Sequence, residues 1–178
     1  MQTFLQYDIE CDGIDLSALM VQKAKAKGLN IECKSICEVD KKYDAIVSVF
    51  DVLNFVHPDE LDNFLNCVYN SLNEGGIFAF DINTLHGFSD VADGVMSEEK
   101  EKIFLTVDAK FEENELHTKF TVFLKDKNNT YLKEQETIIQ YFHSLKIFKQ
   151  LKNFKVVKST YLDMYDKKDK ALIILKKA

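Results

Sequence analysis

The chain has 178 residues, which is enough for one domain with a substantial buried core. Hydrophobic residues make up 46% and charged residues 29%, the balance of a soluble globular protein rather than a disordered or fibrous one. Lys and Arg total 23 against 29 acids, a net charge of -6, and the absence of a long basic run argues against sequence-independent nucleic-acid binding.

The N-terminus, MQTFLQYDIE, has no basic stretch leading into an apolar one, so it does not read as a secretory signal. No segment approaches the roughly 18 apolar residues of a membrane span. Together these favour a cytoplasmic protein with no membrane and no nucleic-acid partner. Cys11, Cys33, Cys37 and Cys67 form no C-x-x-C pair and have no His at zinc-ligand spacing, so they read as reduced thiols and no metal site is expected.

Taken in chain order, Ile9 to Leu16 reads as a short strand ending on an acid. Ser17 caps the helix ALMVQKAKAK, and Gly28 stands where a helix end wants a residue at positive φ. Asn30 to Ile36 is a second strand. Tyr43 to Phe50 is a nearly continuous apolar run, which suits a strand covered on both faces. Pro58, Asp59 and Glu60 mark a helix start; the helix carries LDNFLNCVYNSL, stops at Gly75-Gly76, and leads into a strand over Ile77 to Ile82. The order strand, helix, strand, strand, helix, strand is that of a parallel doubly wound sheet.

After residue 84 the pattern changes. Residues 102–112, 115–126 and 130–142 are β-rich and separated by short polar breaks, which predicts antiparallel hairpins. A helix capped by Ser144 follows, then two strands, FKVVKSTYLDM and KALIILKK, joined by a turn over Asp166 to Asp169. The expected organisation is a single domain over 1–178 with an antiparallel insertion over 84–142.

The segment CDGIDLSALMVQKAKAKG resembles the second strand and following helix of class I S-adenosylmethionine (SAM)-dependent methyltransferases. The resemblance implies that Asp15 accepts hydrogen bonds from the two ribose hydroxyls of SAM, with Leu16, Ser17 and Met20 bordering the adenine. Two vicinal donors suit a carboxylate's two oxygens. The stretch from YDAIVSVF to GGIFAFDINT resembles the family's central strand, crossover helix and next strand. That implies that Phe50 and Asp51 line the methionine part of SAM and that Asn54 faces the substrate opening. The last two strands resemble the family's closing antiparallel hairpin, and the insertion resembles the cap of small-molecule and sugar N-methyltransferases. Such a cap excludes water from the substrate; a dimerisation surface is an equal alternative for it.

The family's glycine-rich opening, of the kind LDLGCGTG, does not occur. MQTFLQYDIECDGID would be the tail of a first crossover helix running straight into the second strand. The expected fold is therefore α/β: a Rossmann-like methyltransferase sheet, mostly parallel with a closing antiparallel hairpin, first strand missing, plus the cap. A vacancy or rearrangement is expected between the strands ending at Asp15 and Phe50, with lowered stability, poor SAM binding, and a homodimer through the cap or the broken sheet as an alternative outcome. A shortened gene product or misplaced start is the first explanation for the short opening, and a cofactor-free descendant the second. Ser35 stands where the family often has an Asp near the adenine amino group, beside Ile36. Of an H-x-Q-R-like pattern ending the insertion, only Gln140 remains, with Ile138 and Tyr141 beside it.

Methyl transfer from a sulfonium mainly needs the nucleophile positioned in line, and a base is needed only if the acceptor must lose a proton. The candidate catalytic residues are Asp81 and His143, and the candidate substrate contacts are Asn54, Asn83 and His86. Turn chemistry competes for Asp81 and Asn83, and a simple surface role at a helix start competes for His143. The function read from the sequence is SAM-dependent methyl transfer to a small-molecule acceptor, impaired in this chain. The alternative is a cofactor-free methyltransferase-like binding or scaffold protein. A nicotinamide-dependent oxidoreductase is disfavoured by the closing hairpin and the absent G-x-G-x-x-G.

Overall fold

The computed structural model describes residues 1–178. A five-residue helix α1 (Gln2–Gln6) leads into β1 (Gly13–Asp15), helix α2 (Ala18–Lys25) and β2 (Ile31–Cys33). Local chemistry fixes this unit. Ser17 Oγ accepts from the Met20 amide at the start of α2, and Gly28 closes the helix at φ 74°, where a Cβ would be penalised. β1 and β2 pair in parallel and form a sheet of their own.

The second sheet has the order β3-β4-β10-β9, built from β3 (Tyr43–Ser48), β4 (Leu72–Asn83), β9 (Phe154–Leu162) and β10 (Lys170–Lys177). β3 and β4 run parallel, whereas β10 is antiparallel to both β4 and β9. "Mostly parallel" therefore overstates this sheet, where two of the three pairings are antiparallel. Helix α3 (Pro58–Asn70) connects β3 to β4. It begins with Pro58 in its first turn, where the missing amide costs nothing. Its end is tied down by Lys177, whose buried ammonium donates to the carbonyls of Tyr69 (3.1 Å) and Leu72 (2.9 Å), a cation satisfying a helix C-terminus. The apolar stripe Leu61, Leu65, Val68 packs with Phe78, Phe80, Ile173, Leu175 and Phe148 in the main core. Phe148 comes from α4 (Leu145–Lys149), whose cap is Ser144 as the sequence predicts.

The third sheet is an antiparallel meander of β5 (Gly94–Lys100), β6 (Ile103–Glu112), β7 (Glu115–Lys125) and β8 (Tyr131–Tyr141). It is preceded by a π-helical segment over Gly87–Ala92. No helix is long and apolar enough to cross a membrane.

Several expectations need correction. β3 is not covered on both faces: Val47 is 46% exposed, and the strand hydrogen-bonds only to β4. An apolar run records a preference for burial and cannot report whether a neighbour is present. Gly75-Gly76 does not stop the helix, which ends at Asn70; the pair lies inside β4, at the register shift that takes Tyr43↔Leu72 to Ala45↔Ile77. A Cβ on Gly76 would lie 2.9 Å from the Asn73 carbonyl oxygen and 3.2 Å from that of Asp44, so the shift needs glycine there. The cysteines are not all free thiols, because Cys37 and Cys67 form a disulfide across 30 residues. β5 also went unread, since GVMSEEK has little strand character and is held by its pairing with β6.

Candidate active site at the carboxyl ends of the strands

β1 ends on Asp15, and its Oδ1 accepts from the Ser17 amide at 2.7 Å, the ordinary reach of a short side chain across a turn. One oxygen is thereby engaged. Leu16 is 77% exposed, and Leu19 and Met20 are also exposed, which gives an apolar shelf beside the carboxylate. Ser35 is bound within its own turn, its amide donating to Glu38 Oε2 at 2.8 Å, and this holds the Glu38 carboxyl below its usual range. Ile36 turns its side chain against the main core.

The end of β3 builds a second cluster. Phe50 and Asp51 are consecutive residues in left-handed backbone, at φ 64° and 61°, a conformation non-glycine residues adopt only when surroundings hold it. Those surroundings are identifiable. Asp81, buried near the end of β4, accepts the Phe50 amide at 2.8 Å. Lys170, buried at the head of β10, donates to Asp51 Oδ1 and lies 3.7 Å from Asp81 Oδ2. Burial pushes the Asp51 carboxyl up, against the pull of Lys170. Phe50 itself projects into solvent at 80% exposure.

Asn54 is fully buried in the 3-10 turn Val52–Phe55. Its amide nitrogen donates to the Tyr141 carbonyl, and its oxygen accepts from the Asn83 amide, both at 2.9 Å. It thus staples the β3 loop to β8 and to the end of β4, and it is fully buried rather than facing an open acceptor site. His143 is 1% exposed, so the surface position expected for it is wrong. Its Nε2 sits 3.0 Å from the carbonyls of both Leu53 and Val56, so Nε2 carries the proton and donates. Burial holds this imidazole below its ordinary pKa. It supports the loop from beneath and lies outside the Asp51–Asp81–Lys170 cluster.

His86 is elsewhere again, half-exposed between Asp166 (2.9 Å) and Asp90 (3.3 Å). It ties the start of the Gly87–Ala92 segment to the β9–β10 turn, and the hydrogen bond it donates to Asp166 raises its pKa. The structure therefore joins Phe50, Asp51, Asp81, Asn54 and Asn83 through hydrogen bonds and leaves His86 and His143 outside. Lys170 was missed. Its only signal is a lysine opening the apolar strand KALIILKK, and its role depends on β10 lying next to β4.

Asp12, just before β1, accepts from Tyr43 Oη at 2.7 Å and from Lys41 at 3.2 Å. Tyr43 opens β3, so the amino ends of β1 and β3 are linked by side chains although no backbone pairing joins the strands. Burial and the Asp12 hydrogen bond push the Tyr43 phenol up to about 12.

Residues 2–76 match a family described as a methyltransferase domain. Along its whole length the chain superposes on an S-adenosylmethionine-dependent methyltransferase from Clostridium acetobutylicum with a TM-score of 0.82, covering 99% of this chain and 79% of that one at 21% identity. The chain has the class I methyltransferase fold. An amino pentose methyltransferase from Micromonospora echinaspora shares this methyltransferase fold (TM-score 0.74, 10% identity, 99% of this chain and 78% of that one). So does a sugar N-methyltransferase from Streptoalloteichus (TM-score 0.73, 12% identity, 93% and 70%). Among curated proteins, a carboxy-S-adenosyl-L-methionine synthase from Helicobacter pylori is 37% identical over 78 residues, 41% of this chain and 32% of that protein. The corresponding Campylobacter curvus protein is 31% identical over 87 residues, 43% of this chain and 35% of that one. The matched region thus spans about a third of those relatives' length.

Proposed function

We propose that this chain is a SAM-dependent methyltransferase acting on a small-molecule acceptor, with cofactor binding weakened in these 178 residues. The observation that carries the reading is the position of the two clusters, Asp15 with its apolar shelf and Asp51–Asp81–Lys170, at the carboxyl ends of β1, β3 and β4. Ligands sit there in open α/β sheets.

The residues fit the cofactor in part. Asp15 Oδ1 is engaged by Ser17, which leaves Oδ2 for the ribose hydroxyls. Leu16 and Met20 offer exposed apolar surface for the adenine, where a polarizable Met suits an aromatic face. Ser17, Ser35 and Ile36 complete that side, Ile36 through its backbone. Asp51 and Phe50 face the methionine end. Between β1 and β3 no strand supplies backbone amides, and binding weakens for that reason.

When bound, SAM supplies an electrophilic methyl group. The chain's part is to hold the acceptor and handle its proton. Asp81 is the candidate base through Oδ2, which lies 3.7 Å from the Lys170 ammonium, since Oδ1 is committed to Phe50. Asn83 borders the acceptor from the end of β4, His86 reaches it only through the segment it latches to the β9–β10 turn, His143 positions the loop, and residues 84–142 act as a cap within one domain over 1–178. Sugar N-methyltransferases among the structural neighbours favour a sugar-like or amine-bearing acceptor.

Calorimetric titration with SAM tests this. Weak binding that Asp15→Ala abolishes supports the reading. No binding at millimolar SAM overturns it and favours a cofactor-free binding or scaffold protein.

A further inference from the structure

We propose that the outer edge of β9 is a docking surface for an acidic polypeptide segment, which adds to the sheet as an extra strand among flanking lysines. The inference does not depend on the reading of the active site. Charge is unevenly placed along the chain. Residues 145–178 carry 10 lysines and three acids, whereas residues 1–144 carry 13 lysines and 26 acids. Five of the ten recur at every third position: Lys146 and Lys149 in α4, Lys152 in the bend after it, Lys155 and Lys158 in β9. All five are exposed, and none is in an ion pair. The three acids are taken up locally. Asp163 and Asp166 accept from the amides of Lys168 and Lys167, and Asp169 from those of Met164 and Tyr165.

Residues three apart in a regular strand point to opposite faces. β9 departs from that rule because its register slips by one residue at Val157: Lys155 pairs with Lys176, and Lys158 pairs with Ile174. Such a bulge brings Lys155 and Lys158 to one face, opposite the core side chains Ile173 and Leu175. There Lys155 stands directly across from Lys176, which is also exposed, and like charges so placed destabilise a sheet. A lysine on an edge strand discourages accidental pairing, but that role needs no cross-strand pair of like charges. Three exposed ammonium groups without a carboxylate call for an anion. On the other face α4 packs against β9 and carries Lys146 and Lys149 on its exposed side.

The backbone decides the occupant. β9 is the last strand in the order β3-β4-β10-β9, so one side of its nine residues presents amides and carbonyls with no strand to pair them. An extended peptide satisfies that row by strand addition, and its alternate side chains then reach the two faces of the sheet. Acids on one face meet Lys155 and Lys158. Side chains on the other meet Tyr161, which is exposed and lies on the α4 face because it pairs with Ala171 of the core. A nucleic acid or an anionic bilayer would meet the lysines but leave the backbone row unpaired. The partner is therefore an extended segment in which carboxylates alternate with apolar side chains.

Fluorescence anisotropy with a labelled peptide of five Glu-Val repeats tests the proposal. Saturable binding is expected below about 100 µM. N-methylation of every peptide amide keeps the charges but removes the donors, and should weaken binding at least about tenfold. Lys155→Glu with Lys158→Glu should weaken it at least about tenfold as well. Lys119→Glu with Lys133→Glu makes the same change of net charge on the cap sheet and should alter it by no more than about twofold. Circular dichroism verifies folding of each variant. Should the β9 variant unfold, hydrogen exchange in the unaltered protein gives the reading, with β9 amides slowed by added peptide. No binding up to about 1 mM, equal affinity for the N-methylated peptide, equal effects of the two double variants, or β9 amides that do not slow each overturn the docking surface. So does tighter binding of oligo-uridylate or of phosphatidylserine vesicles at the same lysines, or self-association that the β9 variant abolishes.

Discussion

Lys170 reaches from the head of β10 to Asp51, the second of two consecutive left-handed residues at the end of β3. The contact spans the intervening strand β4 and supplies the charge that lets Asp51 and Asp81 lie beside one another. Removing one partner of a buried charged contact leaves the other uncompensated, and the cost is typically larger than the net worth of the pair. Lys170→Met is expected to destabilise the fold by about 3 kcal/mol, measured by urea denaturation. Adding Asp51→Asn should recover part of that loss, because the stranded carboxylate is gone. A double variant no more stable than Lys170→Met alone would mean the two residues are not coupled.

His143 gives a pH prediction with a defined sign. Its folded pKa lies below its ordinary 6.5 because burial disfavours the imidazolium, so the unfolded chain takes up the proton first. Its contribution to stability is complete above about pH 6.5 and is lost as pH falls through the folded value. The slope of unfolding free energy between pH 7.5 and 5 should therefore be positive with pH. It should flatten in His143→Gln, which keeps a donor toward the carbonyls of Leu53 and Val56 but does not titrate. An unchanged slope in that variant would assign the acid sensitivity to other groups.

Much of this architecture was legible in the sequence where the signal is local. Ser17, Gly28, Pro58 and Ser144 mark helix ends through the chemistry of their own side chains, and each does so in the structure. What depends on distant neighbours was not legible. Tyr43 to Phe50 looks like a strand buried on both faces because apolar continuity cannot show that one flank is open, or that the strand stops at Ser48. Asn54 looks like a substrate ligand because nothing nearby reveals that Tyr141 and Asn83 consume its hydrogen bonds. Lys170 and the Cys37–Cys67 bond are pairings over long separations, 119 residues in the first case and 30 in the second, with no local trace.

That disulfide joins the 3-10 turn Ile36–Glu38, which follows β2, to the last turn of α3. It therefore links the β1–β2 unit to the main core, where few other contacts do. Closing a loop of this length restricts the unfolded chain by about 3–4 kcal/mol in the chain-entropy account. Reduction, or Cys37→Ser with Cys67→Ser, should lower the thermal midpoint and raise hydrogen exchange in β1 and β2 before the β4–β10 core. Equal exchange in both regions would show that the bond is not what holds the unit.

Gly87 offers the sharpest steric test. It sits in the buried first turn of the π-helical segment, and a Cβ there would fall 2.1 Å from the Asp169 carbonyl oxygen. That carbonyl already accepts from the Thr84 amide at 2.9 Å and its hydroxyl at 3.0 Å. Asp169 is fixed in turn: burial opposes its ionisation, but the amides of Met164 and Tyr165 outweigh it and hold the carboxyl low. Neither side can yield without breaking hydrogen bonds. In an unconstrained helix Gly→Ala would stabilise by up to about 1 kcal/mol; here overpacking should win, with a loss of about 2–3 kcal/mol. The damage should also spread to the neighbouring latch, since His86 and Asp166 are placed by the same contact. Its imidazole, titrated by nuclear magnetic resonance, should fall back toward 6.5 in Gly87→Ala, as it should in Asp166→Asn. A stable Gly87→Ala protein with an unmoved His86 would show that the turn and the cap segment are not locked together.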